Sequence, residues 1–137
     1  MKLSVDIDAI KGFMDADEGL ALYESARSVA ALGPCLEIGS YCGKSTVYLG
    51  AGCQESQNSL FAIDHHRGSE EHQVGEAYHD AELYDAEAGL FDSFAVFRSN
   101  ILAAQLEDTV IPIVAASKVV GRDWKMPLGL VFIDGGH

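Results

Sequence analysis

The sequence predicts a single α/β domain: a parallel sheet with helices on both faces and strand order 3-2-1-4. Three observations carry this. Four short runs, Cys35 to Ile38, Leu60 to Ile63, Thr109 to Val114 and Leu130 to Ile133, are too short for helices and read as buried strands. Segments with apolar residues at helical spacing separate them, and such alternation implies right-handed crossovers. At 137 residues and 48% hydrophobic content, the chain can bury one core.

The elements follow in order. Residues 1–33 read as an N-terminal helical segment and 34–137 as the sheet domain. Asp15 with Glu18 is a capping pair for a helix with Leu20, Tyr23, Ala26, Val29 and Ala30 on one face, stopping near Gly33-Pro34. The first strand runs into a turn, Gly39 to Gly43, which opens a helix through Ser45, Val47 and Leu49. After the second strand, residues 65–89 form a long acidic excursion with a short helix around Ala77 to Leu83. Its histidines, His65, His66, His72 and His79, match no metal spacing and read as surface residues. A helix carrying Phe94, Phe97 and Ile101 leads to the third strand. Pro112 lies inside that strand, and a proline is tolerated only at a sheet edge. The switch point then falls beside strand one, so Glu37 to Gly39, Asp64 and Asp134 share one crevice at the strands' carboxyl ends.

Composition excludes several classes of function. With 21 acidic and 9 basic residues the net charge is -12, which repels nucleic acid and anionic membranes. No signal peptide or membrane-length apolar run is present, so the expected location is the cytoplasm. Cys35, Cys42 and Cys53 lack a C-x-x-C pair and read as free thiols.

The turn Glu37-Ile-Gly39-Ser-Tyr-Cys-Gly43-Lys-Ser45-Thr46 admits three readings. Glycines can stand there merely for backbone freedom. A nucleotide phosphate loop, as in an ATPase or kinase, is suggested by Gly43-Lys44-Ser45 with Asp134, but only three residues separate Gly39 from Gly43 where four are needed. The third reading starts from Glu37, which would repel phosphate and suits a cation. A carboxylate at the turn, N–H groups at a helix start and a second carboxylate, Asp64, able to accept from a ribose diol, together match S-adenosylmethionine.

Cys35-Leu-Glu37-Ile-Gly39-Ser-Tyr41-Cys-Gly43-Lys-Ser45 also resembles the first motif of catechol-type O-methyltransferases. The similarity recurs at Ala115-Ala116-Ser117 and Leu130-Val-Phe-Ile-Asp134. More broadly, the chain is similar to bacterial class I methyltransferases whose fourth strand ends Ile-Asp-Gly-x-His. The resemblance implies a Rossmann-like sheet and an S-adenosylmethionine-dependent transfer to the oxygen of a small-molecule acceptor. By it, Glu37, Gly39, Tyr41, Gly43 and Ser45 would hold the methionine end, Asp64 the ribose and Ser117 the adenine edge. In metal-dependent members the residue at Asp134 binds Mg²⁺ and that at His137 is the general base. A non-catalytic binding module on the same fold is the alternative from outside enzymology.

The order 3-2-1-4 leaves strand four with no partner beyond it. The expectation is therefore a fragment, cut after strand four, comprising the cofactor-binding half of a longer enzyme. By itself it should be inactive and prone to homo-oligomerise.

Overall fold

A computed structural model describes residues 1–68, 83–85 and 90–134. In chain order the elements are a 3-10 turn Ile7–Ala9, α1 (Ala16–Ser28), β1 (Cys35–Ile38), α2 (Lys44–Glu55), β2 (Leu60–Ile63), β3 (Tyr84–Asp85), β4 (Leu90–Phe91), α3 (Phe94–Ala103), β5 (Val110–Ile113), α4 (Ser117–Gly121) and β6 (Leu130–Ile133). The main sheet is four-stranded and all parallel, ordered β5-β2-β1-β6, which is the predicted 3-2-1-4. Strands β3 and β4 make a separate antiparallel pair that the sequence reading did not anticipate. Among the described residues no helix is long and apolar enough to cross a membrane.

The register Cys35↔Leu60↔Val110 and Cys35↔Leu130 aligns side chains in rows across the sheet. Cys35, Glu37, Leu60, Ala62 and Val110 point to one face and are buried under α2 and α3. The start of α2 meets α3 so closely that a Cβ on Gly43 would lie 3.2 Å from the Phe97 ring. On the opposite face Trp124, in the link from α4 to β6, stands edge-on against Phe61 with ring centroids 5.2 Å apart.

The two edges differ chemically. Leu60 N–H donates to Thr109 C=O, Asp64 N–H to Ile113 C=O, and Ala115 N–H to Asp64 C=O, so odd-numbered residues of β5 bond to β2 and the backbone groups of Val110 and Pro112 point away from it. Val110 gives its N–H to Leu106 C=O and Pro112 has none, which leaves that edge without donors for another strand. On β6, Asp134 N–H donates to Ile38 C=O, so the backbones of Val131 and Ile133 face away from β1. Their side chains are 49% and 62% exposed.

Three expectations need correction. Asp15 is the N-cap residue of α1, yet its side chain makes no cap hydrogen bond. The buried stripe of α1 is Gly19, Tyr23 and Ala26, with Leu20 exposed, because α1 packs on α2 through small residues. A Cβ on Gly52 would lie 2.4 Å from Tyr23 C=O, and one on Gly19 would run into the Tyr48 ring. The helix also ends at Ser28, earlier than predicted, and residues 29–34 turn against Gly129 before β1. The helix expected around Ala77 to Leu83 lies outside the described residues except for buried Leu83.

Candidate functional site

The carboxyl ends of β1, β2 and β6 bring Glu37, Asp64 and Asp134 to one end of the sheet. Glu37 is 0% exposed and lies under the first turn of α2. The Ser45 and Thr46 hydroxyls each meet one of its carboxyl oxygens. Burial pushes the Glu37 carboxyl up to about 7, against the pull of those two hydroxyls, and the charges of Asp134 and Asp64 push the same way. Glu37 is therefore a buried acid whose two oxygens are both engaged from within the chain. Ser45 gives its side chain to Glu37 and is itself buried. At the start of α2 Gly43 provides no side-chain cap, and the first N–H bonded back into the helix is that of Val47, to Gly43 C=O, so the N–H groups of Lys44 and Ser45 have no partner within the helix.

The turn between is set by backbone conformation. Gly39, Tyr41 and Gly43 have φ of 95°, 49° and 98°, and only glycine enters this region without strain. Tyr41 is held there because its N–H donates to Asp64 Oδ2 at 2.8 Å. Gly39 N–H donates to Ile63 C=O, Gly43 N–H to Ser40 C=O, and Asn100 of α3 donates to Cys42 C=O at 2.8 Å. Asp64 also accepts from His66 N–H at 2.8 Å through Oδ1, so one carboxylate ties the glycine turn to the loop after β2. Each of its oxygens keeps a further lone pair.

His66 was read as a surface residue, and the structure corrects this: it is 1% exposed, with Nδ1 2.8 Å from Ser93 Oγ and its ring tilted against Phe94 and Phe97. Ser93 N–H donates in turn to His66 C=O. The aromatic helix face at Phe94 and Phe97 was legible, but nothing in the sequence said which of four histidines would meet it. His65 is half-buried and its Nδ1 accepts from Arg67 N–H. Ser117 begins α4, half-buried, two residues after the Ala115 N–H that binds Asp64 C=O.

Lys44 does not fold back over the turn. A Cβ on Gly12 would lie 3.3 Å from Lys44 Cβ and 3.5 Å from its Cδ, so the lysine stem runs along the N-terminal segment. Asp134 is exposed. Among the described residues no group of three or more His, Cys, Asp or Glu side chains could hold a metal ion. His137 lies outside the described residues.

Solved structures share this fold. Cofactor-bound Rv0187 from MTB aligns with TM-score 0.61 and 21% identity over 96% of this chain and 49% of its own. The O-methyltransferase of Bacillus cereus in complex with SAH gives 0.58 and 21%, over 89% of this chain and 46% of its own. TomG of Streptomyces achromogenes, an O-methyltransferase of tomaymycin synthesis in complex with SAM, gives 0.59 and 17%, over 90% and 45%. The chain thus spans about half the length of these proteins. A family described as a methyltransferase domain matches residues 36–137, which include Glu37, Asp64, Asp134 and the whole glycine turn, and the chain belongs to that family.

Proposed function

We propose that this chain is the S-adenosylmethionine-binding part of a methyltransferase that acts on an oxygen of a small molecule. The observation that carries the reading is the buried Glu37 beneath a five-residue glycine turn, with Asp64 fastened to that turn from the next strand. A buried carboxyl under the turn offers a cation a partner it does not offer a phosphate. The solved structures named as binding SAM or SAH, and the two named O-methyltransferases, support the cofactor and the acceptor atom.

The chain's own groups divide the work. The uncapped N–H groups at the start of α2 face where an amino-acid carboxylate would lie, with the helix dipole behind them. The spare lone pairs of Asp64 are placed to accept ribose hydroxyls, and the segment from Ala115 to Ser117 borders the same end of β2. Bound there, the cofactor supplies a methyl group on a sulfonium. The protein's part is to fix that group against the acceptor oxygen and exclude water. By the resemblance to the metal-dependent members, His137 would take the acceptor's proton.

Calorimetry decides between this reading and a nucleotide-binding one. We expect S-adenosylhomocysteine to bind while Mg-ATP gives no heat, and Lys44→Ala to leave the affinity unchanged, because the lysine stem lies on Gly12. Tight Mg-ATP binding that Lys44→Ala abolishes would refute it.

A further inference from the structure

Glu37 and Asp64 stand at the ends of adjacent strands, and different kinds of atom meet them. Asp64 is met by two backbone N–H groups, from Tyr41 and His66, which can only donate. Glu37 is met by two hydroxyls, from Ser45 and Thr46. A hydroxyl donates to a carboxylate or, once its hydrogen rotates away, accepts from a carboxylic acid. The Glu37 site is thus built to hold either protonation state without moving a heavy atom.

Its surroundings decide which state is preferred. Glu37 is fully buried between Ala62 of β2 and Phe132 of β6. Among the described residues, the charges that act on it are Asp134 beyond β6 and Asp64 beyond β2, both negative. From α2 it meets only the two hydroxyls, since the stem of Lys44 lies along Gly12. The ion pairs Arg27–Glu24 and Arg67–Asp92 lie elsewhere.

We propose that Glu37 is a proton-exchanging group: it keeps its proton while the crevice is empty and releases it to solvent when the cationic end of the cofactor arrives. This rests on the cofactor reading above and adds a property to it, namely that binding is linked to proton release. One O–H bond breaks, the proton leaves to buffer, and the new carboxylate, still held by Ser45 and Thr46, attracts the incoming cation across the turn. Burial that disfavours an unpaired charge favours a paired one, so the ligand supplies the partner the folded chain withholds.

The test is calorimetry of S-adenosylmethionine binding in buffers of different ionisation enthalpy, with Glu37→Gln alongside. The glutamine keeps the shape and cannot ionise, so the difference removes any proton from the ligand's own amino group. We expect the wild type to release close to one extra proton per ligand at about pH 6 and almost none at about pH 8.5, its affinity falling up to tenfold per pH unit on the acid side. The variant should show neither trend. Equal proton release by both proteins, with both binding, would overturn the proposal and leave the cofactor reading intact. Absence of binding by the wild type would overturn both. Carbon-13 titration of the Glu37 carboxyl in the wild type serves if the variant does not fold. A signal already ionised at about pH 6 without ligand would also refute it.

Discussion

At the scale of single residues, a buried acid must leave a mark on stability as well as on binding. The folded chain holds the Glu37 carboxyl at about 7, against an ordinary value of 4.5. Between those two values the native state binds more protons than the unfolded chain, so stability falls as pH rises through the interval and levels off above it. The cost of ionising Glu37 in the empty fold is on the order of 3 kcal/mol. Urea denaturation from about pH 5 to pH 8 should show that decline in the wild type, and Glu37→Gln should flatten it. A wild type whose midpoint is constant over this range would show that Glu37 is ionised with a partner from outside the described residues. His66 makes a different point at the same scale, since its Nδ1 and C=O both join Ser93 and fix where the loop after β2 meets α3.

Among the elements, α1 and α2 carry the most intimate contact, and small residues make it. Gly19, Ala26 and Gly52 let the two helices approach until backbone meets backbone. Gly52→Ala would place a methyl group 2.4 Å from Tyr23 C=O and 3.0 Å from Arg27 N, neither of which can turn away. Helix propensity by itself would favour alanine by about 1 kcal/mol, but overpacking against backbone should win and destabilise by about 2 to 3 kcal/mol. Chemical denaturation checks the sign: a stabilised Gly52→Ala variant would show the crossing is looser than described. This contact matters for the site because α2 carries Ser45 and Thr46 over Glu37 at its other end.

For the molecule as a whole, the uneven covering of the sheet is the dominant feature. The edge at β5 is closed to strand addition by Pro112 and by the bond from Val110 to Leu106, whereas β6 presents the backbones of Val131 and Ile133 with two exposed apolar side chains. An edge of this kind pairs with whatever strand it meets. We expect the 137-residue chain to self-associate with rising concentration in sedimentation velocity. Ile133→Lys should weaken that association without lowering the denaturation midpoint, because the side chain is already 62% exposed. A chain that stays monomeric at high concentration would sink this expectation.

The four strands, their order and the edge at Pro112 were legible because each follows from local chemistry. Short apolar runs cannot be helices, crossovers have one hand, and a proline lacks an N–H. The placing of Glu37, Asp64 and Asp134 at one end of the sheet followed from the same order. What tertiary structure decided was how each carboxylate is satisfied. Glu37 looked like a group facing a ligand, and it lies beneath α2 with Ser45 and Thr46 on its oxygens. Asp64 looked like a ribose acceptor, and it is also the tie that holds Tyr41 in a left-handed turn. The α1 stripe shifted from Leu20 to Gly19, and His66 moved from surface to core, for a common reason. Periodicity reports which residues can be buried, whereas the partner that arrives from a distant part of the chain selects which of them are.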